Sequence, residues 1–359
     1  MSAENAEELL LSNEGGLAAP YVNIDEAEAI ALVRKHFGLE GTVLRFATEK
    51  DDTFRFDAVD GRQFVLKVAN PSEAELEIAF QVELLRHVAR TAPTLPVPRV
   101  FANLQGRELF LADTLAGVPR FVRLMSYLPG TPLARTTSEP HEREHIGALL
   151  AQLRHATADF SHPADDRVLA WDVKHLSSLR HLLAEVPDLR QRAALTEAMD
   201  RFACIEGRLA ACRTQVVHND FNTSNIVVDH KHPDFVTGII DFGDAVRTAI
   251  AVDVSTALMN QMPRETPADL SIDIFGAARD VVRGYLRHAD LTQEELELIP
   301  HLAMARVVTR ALLTTWRAQL FPENRDYILR NTGPGWAHLD WFLHRTQDEI
   351  SGLLLAPAL

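Results

Sequence analysis

Cysteine is scarce: the chain has two in 359 residues. So few cannot build a disulfide framework. Cys204 and Cys212 stand eight positions apart on one expected helix, too far to bridge each other. A reducing cytoplasm is the expected compartment. No apolar run is long enough to cross a bilayer. Residues 1–20 open with acids rather than Lys or Arg and have no long apolar stretch, so they read as a mobile tail and not as a signal peptide. Basic charge is in the minority, 36 Lys and Arg against 50 Asp and Glu, for a net charge of −14. Phosphate repulsion at that charge argues against a nucleic-acid partner. The acidity suits a small cationic substrate drawn to an acidic cleft, and it also serves solubility. Internal repeats and low-complexity segments are absent.

What the chain does contain is concentrated between residues 218 and 243. His218-Asn219-Asp220-Phe221-Asn222-Thr223-Ser224-Asn225 is followed sixteen residues later by Asp241-Phe242-Gly243. This is the order of a kinase phosphoryl-transfer site: a catalytic Asp, an Asn for a metal ion, then an Asp-Phe-Gly metal ligand. A nucleotide phosphate with its Mg²⁺ is hard and highly charged, so hard oxygen ligands suit it. Asn225 and Asp241 can hold the metal, which leaves Asp220 to orient a substrate hydroxyl and accept its proton. Gln215-Val216-Val217 reads as a short strand leading in. Ile226 to Val228 and Phe235 to Ile240 read as a hairpin that brings Asn225 and Asp241 to one end. Turn chemistry alone would explain the Asn, Asp and Ser residues, but not the preceding His or the apolar strands on both flanks.

The remaining parts of such a site are less complete. Lys67 lies inside the apolar run Phe64-Val65-Leu66-Lys67-Val68, where a phosphate-binding lysine belongs, although edge strands also carry Lys to resist aggregation. The following helix, Glu73 to Arg90, should offer it an acidic partner. Glu77, Gln81, Leu84 and Val88 share one stripe, so Gln81 or Glu77 is the expected neighbour and Glu83 faces solvent. No Gly-x-Gly-x-x-Gly precedes Lys67; Thr48 to Phe54 stands there instead, with acids that would repel phosphate unless turned outward. Arg123 to Leu128 before Pro129-Gly130 reads as a strand running into a hinge, where backbone groups of Ser126 and Leu128 are candidates for binding a purine edge.

These segments imply an α+β fold with two lobes: a sheet-rich nucleotide-binding lobe over 21–125, a hinge at 126–130, and a mostly helical catalytic and substrate-binding lobe over 131–359. Asp25 to Phe37 is expected as a helix with Asp25 and Glu28 as a capping box and Gly38 as its stop. Later helices are expected over Ser138–Phe160, His175–Glu185, Arg190–Arg213, Val252–Met262, Ile272–Leu286, Thr292–Leu320 with a possible break at Pro300, and Gly335–Leu354. A competing pattern, His141-Glu142-Arg143-Glu144-His145, fits the zinc-peptidase spacing. Its context is wrong, because Ser138 and Pro140 put it in the first exposed turn of a helix, before the apolar stripe begins.

The motifs resemble the aminoglycoside phosphotransferase family of small-molecule kinases from about residue 40 onward, and within it the hydroxylysine kinase branch. The branch resemblance rests on Phe64 to Asn70, Trp171-Asp172 with Lys174-His175, Asp220-Phe221-Asn222, and Pro322-Glu323-Asn324 to Trp336. The resemblance implies Asp220 as catalytic base, Asn225 and Asp241 as Mg²⁺ ligands, Lys67 as the phosphate lysine, and His218 as a loop brace that binds no metal. It also implies ATP or GTP as donor, the branch being associated with GTP and 5-hydroxylysine. Asp244 is a candidate for a substrate ammonium and Arg317 for a substrate carboxylate, while Asp253 is expected to cap a helix and Trp316 and Trp336 to anchor helix packing. The leading expectation is a Mg²⁺-dependent kinase acting on a hydroxyl of a small amine or amino acid. An aminoglycoside, homoserine or choline acceptor is the alternative within that class. A catalytically silent nucleotide-binding module is the alternative outside it, motivated by the missing glycine loop and by Gln81.

Overall fold

The computed structural model describes residues 21–48, 50–264, 270–330 and 332–355, so the expected tail at 1–20 lies outside the described residues. The first element is α1 (Glu26–Phe37), started by the Asp25 side chain accepting from the Glu28 N–H at 2.8 Å and stopped by Gly38 at φ 68. The reciprocal arm of the expected capping box is not made. The Glu28 carboxylate instead accepts from the Leu115 N–H at 2.6 Å, tying the helix to a loop of the sheet.

Strands β1 (Gly41–Phe46), β2 (Asp52–Ala58) and β3 (Gln63–Val68) form an antiparallel meander. It continues through β6 (Arg120–Ser126) to β4 (Val100–Phe101), and β5 (Phe110–Ala112) also pairs with β6. Alternation of side chains sends Phe54, Phe56, Phe64, Leu66, Val122 and Leu124 to one face, where they bury against Ala29, Leu32 and Val33 of α1. Helix α2 (Glu75–Thr91) follows β3 and joins a different core. Its Phe80, Leu84, Leu85 and Val88 belong to the cluster that fills the large helical part of the molecule. The helix that borders the Lys67 strand is therefore anchored to the opposite half of the protein.

After Ser126 the chain passes through Gly130 into β7 (Thr131–Pro132), which pairs with β9 (Ile226–Val228). Gly130 sits at φ 142, and a Cβ there would meet Thr237, Val227 and the Val228 carbonyl at 2.7 Å, so only glycine lets the connection lie this close to the hairpin. The helical part contains α3 (Pro140–Thr157), 3-10 turns over Val173–Glu185, α4 (Leu189–Ala203) and α5 (Glu206–Ala210). The expected Arg190–Arg213 helix is thus two helices, interrupted at Cys204–Ile205.

Beyond the hairpin that starts with β9 come α6 (Ile250–Met259), α7 (Gly276–Leu286), α8 (Gln293–Leu320), α9 (Arg325–Leu329), α10 (Thr332–Leu343) and α11 (Gln347–Ser351). The Gly335–Leu354 expectation is also divided, because Thr346 caps a new helix by accepting from the Glu349 N–H. Pro300 does not break α8. A proline inside a helix is unfavourable by about 3 kcal/mol. Here Leu298, Ile299, Leu302, Ala303 and Met304 are fully buried around it, and that packing outweighs the lost backbone bond. No helix among the described residues is long and apolar enough to cross a membrane.

Candidate active site

Two loops join the same two ladders, and this places the site. Strand β8 (Thr214–Val217) runs into residues 218–225, which end at β9; β10 (Val236–Ile239) runs into 240–245, which end at β11 (Val246–Ala249). β9 pairs with β10 as the hairpin spacing predicts, and β8 pairs with β11, a strand the sequence did not reveal. Both ends of both loops are thereby fixed to each other. The Ile240 N–H donates to the Asn225 carbonyl at 2.9 Å. His218 accepts from the Asp220 N–H on Nδ1 at 3.3 Å and donates from Nε2 to the Ile240 carbonyl at 3.0 Å, so its ring braces the two loops together.

Asp220, Asn225, Asp241, Asp244 and Lys67 all line one cleft of about 760 Å³. The Asn225 amide nitrogen donates to the Asp220 carboxylate at 2.7 Å and to its carbonyl at 3.0 Å, leaving the amide oxygen as the ligand-capable atom. Lys67 Nζ lies 3.6 Å from Asp241 and 4.0 Å from Asp51. Of the non-glycine residues at positive φ among those described, two are Asn219 and Asp241, so the backbone is held in unfavourable conformations on both of these loops.

The charges act on one another. The Lys67 ammonium holds the Asp241 carboxyl below the usual carboxylate range. Burial pushes the Asp220 carboxyl up, opposed by the Arg306 guanidinium. Burial and then the negative charges of Asp220 and Asp241 push Asp244 up to about 6. Three aspartates crowding one end of a cleft fit a hard divalent cation, which would stabilise all of them ionised. Asp241 is placed for this, with 53% of its side chain open to the cleft. Among the described residues no three His, Cys, Asp or Glu side chains form a metal cluster. An ion held by one carboxylate and one amide beside nucleotide phosphates needs no such cluster. In the zinc-like segment Glu142 instead accepts from the Glu139 N–H at 2.7 Å at the start of α3.

Several expectations are corrected. Neither Gln81 nor Glu77 partners Lys67. Gln81 accepts from Arg123 at 3.0 Å, and Glu77 lies 3.5 Å from Arg167. The cause is cross-strand register. Arg123 on β6 stands opposite Lys67 on β3 and reaches the helix first. Asp51 and Asp52 of the 48–54 segment are not turned outward. Asp51 and Asp52 are buried, Asp51 against Arg123 at 3.3 Å and Asp52 against Arg120 at 2.7 Å. Ser126 and Leu128 do not line the cleft. The Ser126 N–H is already bonded to the Arg99 carbonyl at 2.8 Å.

Asp253 caps no helix. It lies inside α6 and accepts from the His218 and Asn219 N–H groups. Trp316 and Trp336 pack against the core, as expected. The cleft is also not simply acidic, because Arg264, Arg306, Arg310, Arg317 and Arg330 line it. Among the residues that sequence reasoning missed, Arg306 donates to Asp220 at 3.0 Å and to the Trp171 carbonyl, and Arg167 donates to the carbonyls of Gly243 and Ala245. The available signal was arginines 306, 310 and 317 falling on one face of a helix whose central turns are mostly apolar.

Comparison with known proteins agrees with this geometry. The profile of the phosphotransferase enzyme family, APH, matches residues 43–291. The hydroxylysine kinase of Mus musculus is 26% identical over 354 residues, covering 90% of this chain and 91% of that protein. Among solved structures, amicoumacin kinase hAmiN in complex with AMP-PNP, Ca²⁺ and Ami superposes with a TM-score of 0.64 at 16% identity, over 87% of this chain and 95% of that one. A microcompartment-associated aminopropanol kinase gives 0.62 at 18% identity, over 91% and 99%. These likenesses carry the fold, two-lobed and kinase-like, as the sequence led one to expect.

Proposed function

This chain belongs to the APH phosphotransferase enzyme family and is a kinase acting on hydroxyl groups of small molecules, and from that premise we propose that it transfers the γ-phosphate of ATP or GTP, with Mg²⁺, to a hydroxyl of an amine or amino acid resembling 5-hydroxylysine. The observation that carries this reading is the convergence of Asp220, Asn225, Asp241 and Lys67 on one cleft, with Asn225 bonded to Asp220 and Lys67 beside Asp241.

Asp220 orients the acceptor hydroxyl and takes its proton. Burial raises its affinity for that proton, and the Arg306 guanidinium opposes part of that rise. Lys67 aligns the phosphates, and Asp51 and Asp241 keep its ammonium aimed into the cleft. Asn225 and Asp241 would hold Mg²⁺, which supplies charge neutralisation on the transferred phosphoryl group. Asp244 faces the same space and is proposed to meet a substrate ammonium, with Arg317 among the groups available to a carboxylate. Gln81 acts one step back, through Arg123 and Asp51. The lobe boundaries, with a hinge at 126–130, belong to the same proposal.

The test is a phosphorylation screen of purified protein with Mg²⁺ and either ATP or GTP against hydroxylated amines and amino acids, 5-hydroxylysine included. Acceptor-dependent nucleoside diphosphate release supports the reading. Failure of Mg²⁺-nucleotide to bind at all would remove it.

A further inference from the structure

The cleft wall facing the catalytic aspartate is rich in arginine. Helix α8 presents Arg306, Arg310 and Arg317 to the cleft from one face, and Arg264 and Arg330 approach from neighbouring segments. Arg306 has partners in Asp220 and Trp171. Arg310 does not: among the described residues its guanidinium makes no hydrogen bond and no ion pair, although it is half-buried and lines the cleft. Burial and then Arg306 lower its pKa to about 10, with Arg264 and Arg330 acting in the same direction and the Asp220 carboxylate opposing them without a direct bond. A guanidinium partly withdrawn from water is unfavourable unless an anion hydrogen-bonds to it. A protein with a net charge of −14 had carboxylates to place there, and the aspartates that line the cleft sit at its catalytic end.

We propose that the acceptor supplies the missing anion: Arg310 binds a carboxylate of the substrate, so this kinase takes hydroxylated amino acids and rejects amine alcohols that lack a carboxyl group. The inference rests on the kinase reading and narrows it. Arg310 is one helical turn beyond Arg306, roughly 6 Å along the helix axis from the residue that holds Asp220. A substrate carboxylate there and a hydroxyl at Asp220 require the two groups to be separated by a short carbon chain, as in an amino acid hydroxylated on its side chain. The planar fork of Arg310 binds a carboxylate through two parallel hydrogen bonds. Arg264 and Arg330 add positive potential around it without needing direct contact.

The experiment compares acceptors in pairs, each hydroxylated amino acid beside its decarboxylated counterpart: serine with ethanolamine, homoserine with aminopropanol, 5-hydroxylysine with the corresponding diamine alcohol. The expected result is that every acceptor turned over is the carboxylated member, with kcat/KM at least about 100-fold above its partner. Arg310→Gln should raise KM for that acceptor by about 10- to 100-fold with a smaller change in kcat and no change in KM for nucleotide. It should also collapse the preference between paired acceptors, and Arg310→Lys should restore part of it. Mg²⁺-nucleotide thermal stabilisation, measured alongside, shows that each variant is folded. Turnover of a decarboxylated member as efficient as that of its partner overturns the proposal, as does an unchanged preference in Arg310→Gln. A panel in which no carboxylated member reacts while Mg²⁺-nucleotide still binds also overturns it, and leaves the kinase reading standing.

Discussion

The carboxylate of Asp253 accepts hydrogen bonds from two successive backbone N–H groups, those of His218 at 3.2 Å and Asn219 at 2.9 Å. Asn219 is fully buried at φ 60, directly before the proposed base. Such a backbone conformation persists only when its surroundings hold it. Asp253 does so from α6, a helix that touches no substrate in the proposed mechanism.

Replacing this brace should damage both fold and turnover. Asp253→Ala leaves two buried N–H groups without an acceptor, at a loss of roughly 2–4 kcal/mol in stability. Denaturant titration and steady-state kinetics on the same preparation should show a lower midpoint and a kcat reduced more than KM. Wild-type values for both would show that the loop holds its shape unaided.

Asp220→Asn should reduce kcat by about a thousandfold or more, as loss of a base and of a transition-state contact does. The amide keeps the shape of the side chain, so Mg²⁺-nucleotide should still raise the melting temperature. Retained turnover would assign the base elsewhere.

Asp241→Ala should abolish the part of nucleotide stabilisation that depends on Mg²⁺. It removes both the open carboxylate and the anion beside Lys67. Thermal shifts with and without the metal separate the two effects; an undiminished metal-dependent shift would contradict the ligand role.

Asp51 lies in the segment that stands in place of a glycine-rich loop, and it ties Arg123 to Lys67. Asp51→Asn should weaken nucleotide binding by about tenfold while leaving KM for the acceptor unchanged, since the lost ion pairs orient only the phosphate lysine. Isothermal titration with Mg²⁺-nucleotide measures this, and an equal loss for acceptor would point to a general loosening of the fold.

His301 links acid stability to the helical core. It is buried beside Ser351 at 3.0 Å, and burial followed by the charges of Arg208 and Arg201 lowers it from 6.5 to about 4. The folded protein therefore binds this proton less readily than the unfolded chain. Its contribution, on the order of 3 kcal/mol at most, is complete above pH about 6.5 and disappears as the pH falls to about 4. Urea midpoints measured across that range should fall less steeply for His301→Gln than for wild type. Parallel curves would exclude His301 as a source of the acid sensitivity.

The catalytic segment was legible in the sequence because its information is local. Asp220, Asn225 and Asp241 are separated by a loop and one hairpin, and period-two apolar runs on either side announce the strands. Lys67 was legible for the same reason, as a charge inside a strand. The partner of Lys67 was not. The stripe on α2 correctly put Gln81 inside the protein and Glu83 outside, but it carried no information on whether β6 would place an arginine opposite Lys67. The pairing of β8 with β11 was equally hidden, because strand partners separated by thirty residues leave no periodic trace.

By itself the sequence determined the reaction chemistry. The residue types and spacings proposed to hold a metal-bound phosphate follow from short-range backbone geometry, which the chain encodes directly. Tertiary structure alone decided the electrostatic setting: which acids lie beside Lys67, that Asp253 supports the 218–225 loop, and that arginines line the cleft together with the acids. Coulomb interactions and burial depend on distances between segments remote in the chain, and those distances exist only after the two cores have packed.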